Sequence, residues 1–205
     1  MLHDTISRMR LSPAEYLTYD RASEKKQEYY DGQIWAMDGA DFDHALIACN
    51  AAFHLEPALE NRAKVFVGSK VRVQLSTAGP FTYPDIAIVH GDPQFLDDKQ
   101  DTLLNPSVVL EVFSKSSEAH LRGFKFTQYR KLQSLAEYVL ISQQETRIEV
   151  FQRRPSGHWL SASAEGINSR CYLSSVRCPL PLSVVYAGAE FLASRKRSAR
   201  QPYAD

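Results

Sequence analysis

The sequence predicts an α/β (α+β) fold in which a central mixed β-sheet is flanked by helices. Three observations carry this reading. The runs "YPDIAIVH" and "SVVLEVFS" are almost continuous in aliphatic and β-branched residues, as strands covered on both faces are. The stretch 42–60 places Ala45, Ile47, Ala48, Ala51, Ala52, Leu55 and Leu59 at helical spacing. The stretch 117–133 reads as a second helix directly after a strand, so helices and strands interleave along one chain.

The elements follow in order. Residues 12–21 open a helix, with Ser12 as N-cap, Pro13 at the first position and Glu15 at the third. In "QEYYDGQIWAM", Asp31-Gly32 separates two β-prone runs and predicts a hairpin. After the 42–60 helix, whose end Pro57 disturbs, residues 64–75 give one or two strands, and further strands lie near 84–90 and 107–114. In the 117–133 helix, Phe124, Tyr129 and Leu132 make a core-facing stripe, and Gly123 costs some helix propensity. "EYVLISQ" and "RIEVFQRR" pair around 143–146, "HWLSASAE" continues the meander, and "CYLSSV" with "PLPLSVVYAGAEFL" closes the domain.

A chain of 205 residues with 44% hydrophobic content is long enough for one compact domain with a core, spanning 1–205, and its basic end, 195–205, reads as a flexible tail. No apolar run reaches the roughly 20 residues of a membrane helix, and the first residues lack a secretory apolar stretch. The three cysteines, Cys49, Cys171 and Cys178, form no CxxC pair, which leaves neither a disulfide framework nor a zinc site and points to the cytoplasm. The charge balance of 24 basic against 24 acidic residues argues against a protein that only coats nucleic acid. No Gly-rich phosphate loop is present, which removes the nucleotide-binding folds.

The chemistry rests on two acids in runs that otherwise read as core: Asp85, directly after Pro84, and Glu111, in the middle of "VVLEVF". An ionised carboxylate in a dry sheet costs several kcal/mol unless a cation, donors or a metal meets it. If the two strands are neighbours, both acids reach one end of the sheet and offer hard oxygen ligands to a divalent ion such as Mg²⁺, with the backbone carbonyl of Val112 as a further oxygen. The next helix brings Arg122, Lys125, Arg130 and Lys131, and Lys125 shares a face with Tyr129. An ammonium beside such acids stabilises a phosphorane-like transition state or orients the attacking water.

The ordered set "YPDIAIV", "PSVVLEVFSKSSE", "RGFKFTQYRKLQSLAEYVLIS" and "IEVFQR", preceded by "EYYDGQIWAMDGADFDHALI", resembles the Uma-two family of the PD-(D/E)XK nuclease superfamily, over about 12–192. The resemblance implies a restriction-endonuclease-like fold and a metal-dependent endonuclease acting on DNA, using Mg²⁺ or Mn²⁺ and working as a homodimer. It matches Asp85 and Glu111 to the metal-binding acids and Lys125 to the catalytic lysine, because Phe113 stands where the superfamily lysine would lie. It also matches Glu28 to an acid near the metal, His44 to a histidine at the start of the second helix, and Tyr129 to a supporting position. Leu121 departs from the pattern, which expects an acid before "RG", and Glu118 is the nearest substitute. Lys70, Arg72, Arg122, Arg130 and Lys131 are the expected phosphate contacts. Trp159 and the meander 149–163 offer a dimer surface or, equally, packing. The competing readings are a catalytically weak or inactive module that binds nucleic acid or protein, and a metal-dependent hydrolase of small molecules. The absence of His-rich zinc spacing disfavours the last.

Overall fold

A computed structural model describes residues 10–37, 39, 41–60, 62–68 and 71–191. Lys70 and the basic tail 195–205 lie outside the described residues. The chain begins with helix α1 (Pro13–Ala22), entered through a capping box in which Glu15 N–H donates to Ser12 Oγ at 3.3 Å and Ser12 N–H donates to Glu15 Oε2 at 2.7 Å. Strands β1 (Gln27–Tyr30) and β2 (Gln33–Ala36) form the hairpin. Its turn needs Asp31 at φ 48° and Gly32 at φ 85°, left-handed values that an Asp-Gly pair adopts readily. Helix α2 (Phe42–Ala58) starts at Asp41, whose carboxylate accepts from His44 N–H at 2.9 Å.

Three sheets follow. The five-stranded sheet runs β2-β1-β5-β4-β7, with β4 (Arg72–Gln74), β5 (Phe81–Thr82) and β7 (Thr102–Leu103). The six-stranded sheet runs β11-β10-β9-β8-β6-β3, with β3 (Ala63–Val67), β6 (Ile86–His90), β8 (Val108–Phe113), β9 (Glu137–Ser142), β10 (Arg147–Arg153) and β11 (Trp159–Glu165). It is mixed: β8 and β9 are parallel, while β6 pairs antiparallel with both β3 and β8. A small hairpin, β12 (Arg170–Leu173) and β13 (Cys178–Pro181), leads into the last helix, α5 (Leu182–Val185).

Between β8 and β9 the chain is helical but not uniformly so. It passes from α3 (Glu118–His120) through a π-helical turn (Leu121–Lys125) into α4 (Phe126–Tyr129), where the expected element was one α-helix over 117–133. Phe126 N–H bonds back to Leu121 C=O, the i→i+5 bond that defines the wider turn.

The central strands of the six-stranded sheet are buried on both faces, which explains the unbroken apolar runs of β6 and β8. Even-numbered residues of β8 (Val108, Leu110, Val112) join the core under α2 and α5, whereas Val109 and Phe113 join the core under the π-helical segment and the five-stranded sheet. Glu111 has the parity of the second face, so it points between the two sheets.

Arg72 corrects one expectation. The sequence suggests a phosphate contact, but Arg72 is only 1% exposed. Its guanidinium lies 3.0 Å from Asp20 and 3.5 Å from Asp101, and Nε donates to Tyr83 OH at 2.9 Å. It ties α1 to the five-stranded sheet, since a buried cation must be compensated where it lies.

Candidate active site

Extending the register Ile86↔Leu110 by one residue sets Asp85 across from Glu111, with both side chains on one face of the sheet. The strand pairing thus meets the condition under which these two acids share a site. Asp85 sits at the more open edge. Its Oδ1 is 2.8 Å from His44 Nε2, which reaches over from the first turn of α2, and its Oδ2 accepts from Val112 N–H at 2.7 Å. Val112 meets Asp85 through its N–H; the expectation for its carbonyl concerns a metal ligand. Gly68 fixes the same strand end: its N–H donates to Asp85 C=O at 2.6 Å, and a Cβ at position 68 would stand 3.0 Å from that oxygen.

Glu111 forms the floor. Its Oε1 lies 2.7 Å from Lys125 Nζ and accepts from Tyr129 OH at 3.0 Å. The same ammonium lies 2.9 Å from Glu28 Oε1, which comes from β1 of the other sheet. Glu28 is 7% exposed rather than on the surface beside the hairpin, and Tyr30 OH (3.0 Å), Tyr83 N–H (3.2 Å) and Thr82 Oγ1 all donate to it. Lys125 therefore joins two sheets through two carboxylates.

The electrostatics follow from burial. Burial, with the charges of Asp85 and Glu28 adding, pushes the Glu111 carboxyl up to about 7 against the pull of Lys125. Burial also opposes charge on Lys125, but Glu111 and Glu28 outweigh it and hold the ammonium well above the usual lysine range. For Glu28, burial is overcome by Lys125 and the donors of Thr82 and Tyr83, which leave it below the usual carboxylate range. His44 is raised, because Asp85 outweighs the effect of its own burial.

The structure gathers Asp85, Glu111, Lys125, Glu28, His44 and Tyr129 in one notch. It does not bring all of the expected phosphate contacts there as free cations. Arg122 is bound by Glu118 at 2.8 Å and by Glu149. Arg130 lies over the Phe126 ring at 5.7 Å, and Lys131 donates to Gln128 at 2.7 Å; both remain exposed. Leu121, where an acid was expected, is 5% exposed and packs into the core that also holds Tyr129 and Tyr138. Glu118 does not substitute for that acid, because it pairs with Arg122 and Arg147. Trp159 packs edge-on against Phe126 at 5.2 Å and carries Arg153 over its ring, so packing is the reading that the contacts favour. Thr82, Tyr83, Tyr30 and Gly68 were missed, since nothing in the local sequence ties them to acids far along the chain.

Asp85 and Glu111 offer carboxylate oxygens, which are hard ligands. Each carboxylate oxygen accepts about two bonds, so Asp85 keeps free acceptor capacity, and Glu111 Oε2 has no donor among the described residues. No group of three or more His, Cys, Asp or Glu among the described residues is gathered to hold an ion alone. A divalent ion at Asp85 and Glu111 would have to take its remaining ligands from water.

The family model described as "Putative restriction endonuclease" matches residues 13–175. Two proteins of Synechocystis sp. are similar: slr1290 is 30% identical over 184 residues, 89% of this chain and 94% of the relative, and sll1609 is 29% identical over 167 residues, 82% and 94%. Among solved structures, a protein of Anabaena variabilis titled a putative nuclease belonging to DUF820 superposes with a TM-score of 0.70 at 14% identity, covering 86% of this chain and 98% of that one, a likeness of fold. No helix among the described residues is long and apolar enough to cross a membrane. With most of its length matched by that model, the chain belongs to the Uma2 family.

Proposed function

We propose that this protein is a metal-dependent endonuclease that hydrolyses DNA phosphodiester bonds. The observation that carries the proposal is the meeting of Asp85, Glu111 and the Lys125 ammonium from three separate elements. Asp85 and Glu111 would hold Mg²⁺, or Mn²⁺ in its place. When bound, the ion polarises the scissile phosphate and acidifies a water. Lys125 Nζ, kept protonated by its two carboxylates, donates to the oxygen on which charge develops. Tyr129 OH fixes the orientation of Glu111 Oε1, and Glu28 holds Lys125 from the opposite sheet. His44, on the more open side of Asp85, contacts the phosphate or the acid cluster.

The test is cleavage of duplex, branched and single-stranded DNA with Mg²⁺ or Mn²⁺. Asp85→Ala and Glu111→Ala abolish cleavage while circular dichroism stays native. Full activity in a well-folded Asp85→Ala protein refutes the assignment. A second reading, a binding module without catalysis, is favoured by Lys125 already occupying Glu111 Oε1. Calorimetric titration separates the two: no uptake of Mg²⁺ or Mn²⁺ at millimolar concentration supports the module and excludes the nuclease.

A further inference from the structure

Beside the notch, three aromatic rings lie where a core would not place them. Trp35 pairs directly with Glu28 across the β1–β2 ladder, so its side chain leaves the same face of the sheet as the carboxylate that holds Lys125. Trp35 is nevertheless 51% exposed and stands on β2, the edge of its sheet. Phe124 immediately precedes Lys125 in the π-helical turn and is 41% exposed. Its ring meets Tyr30 edge-on at 4.9 Å and His120, one helical turn earlier, at 5.3 Å. Tyr30 in turn donates to Glu28. The rings are thus anchored to the two elements that supply Glu28 and Lys125.

Exposed lysines stand near the same place, with Glu24 beside the first of them. Lys25 stands just before β1 and Lys115 just after β8, both exposed, at the strand ends nearer Glu28 and Glu111. Open aromatic faces next to exposed lysines form the combination that binds single-stranded nucleic acid: bases stack on the rings and phosphates follow the cations. In a duplex the base faces are already stacked on one another, so such a rim has nothing to stack on.

We infer that the rim of Trp35, Phe124 and His120 stacks unpaired bases next to the phosphate presented to the notch, so that the substrate class is DNA with an unpaired stretch. The inference rests on the nuclease reading for its chemistry, but its test does not. Fluorescence anisotropy in EDTA measures binding of labelled oligothymidylate and of its duplex with oligoadenylate, with no cleavage possible. The wild type prefers the single strand. Trp35→Ala and Phe124→Ala each weaken it roughly 5- to 150-fold, the range for losing one base stack. Trp35→Phe retains most of the affinity, and the duplex changes little. With Trp159→Phe, Trp35 is the remaining tryptophan of the two, and oligothymidylate quenches its emission. Single-strand affinities within about twofold of wild type in both alanine variants, duplex binding as tight as single-strand binding, or no binding of either probe overturn the inference. Loss of single-strand binding in Trp35→Ala alongside a wild type that cuts nothing with metal sustains the rim and defeats the nuclease. Duplex cleavage that ignores Trp35→Ala does the reverse.

Discussion

Replacing Lys125 with Met tests the site as a physical object, apart from any activity. Met keeps most of the side-chain length and removes the charge. In the native protein the ammonium lies 2.9 Å from Glu28 and 2.7 Å from Glu111, with side-chain exposures of 6%, 9% and 5% for the three residues. Removing one partner of a buried ion pair costs about 3–5 kcal/mol, because the other charge stays behind. For a domain of this size about 1 kcal/mol moves Tm by roughly 2–4 °C, so the variant loses about 6–20 °C at pH 8. The pH dependence has a definite sign. Without Lys125 both carboxyls titrate above their unfolded values, so the folded state binds more protons than the unfolded chain across that window, and stability falls as pH rises through it. The deficit is largest at pH 8 and shrinks toward pH 5. In the wild type, Glu111, pushed up to about 7, contributes the same falling slope below neutrality, whereas Glu28, held low, contributes stability that disappears only in acid. Thermal unfolding followed by circular dichroism at both pH values measures this. The triple variant Glu28→Gln, Glu111→Gln, Lys125→Met has no stranded charge and recovers most of the loss. A Lys125→Met protein melting within about 2 °C of wild type at pH 8 refutes the buried triad.

Three further predictions concern the frame around the site. Arg72→Met strands Asp20 and costs about 3–5 kcal/mol in denaturant unfolding, while the salt dependence of DNA binding is unchanged; a phosphate contact would lower that slope instead. Asp101 is held at about 2, chiefly by its bonds to Arg21, so its contribution is complete above the ordinary aspartate range and vanishes as pH falls toward 2; Asp101→Asn loses this acid limb in a pH titration of unfolding. Gly68→Ala puts a Cβ 3.0 Å from Asp85 C=O and shifts the strand end by a few tenths of an ångström, lowering cleavage about tenfold in a nuclease assay with little change in melting.

The sequence carried those features whose causes are local. Ser12 and Glu15 cap a helix three residues apart, and Asp31-Gly32 supplies two left-handed residues where the hairpin needs them. The acids Asp85 and Glu111 were conspicuous because a carboxylate in an aliphatic run demands a partner, and one register extension sets them side by side. What was hidden depends on partners distant in the chain. Glu28 next to a turn looks like a surface residue until Lys125 is seen to reach it from another element. Arg72 looks like a phosphate contact until Asp20 and Asp101 close over it. Phe124 was expected in the core stripe because periodicity assumes a uniform α-helix. The π-helical turn changes the phase, and Phe126 packs against Tyr138 while Phe124 faces out. Residues four apart drift by about 40° in an α-helix, so positions eight apart diverge by about 80°. Yet Leu121, Lys125 and Tyr129 are all buried, and the wider turn between the first two supplies the correction.

This phase also explains why the ammonium comes from the helix and not from the strand. Phe113, two residues after Glu111, shares its face of β8 and is the position from which a strand lysine would reach the acids. In this protein the guanidinium groups of Arg122 and Arg147 both lie near the Phe113 ring, each 5.6 Å from its centre. Those arginines are held by Glu118, and Arg122 also by Glu149. A lysine at 113 would exchange two cation–π contacts for two like-charge neighbours at a buried position. Phe113→Lys in the Lys125→Met background therefore restores neither melting temperature nor cleavage, and on its own it costs about 3 kcal/mol or more for the lost ring. Recovery of both properties in that double variant would mean that the ammonium's origin is immaterial, and that the π-helical turn positions nothing the strand could not.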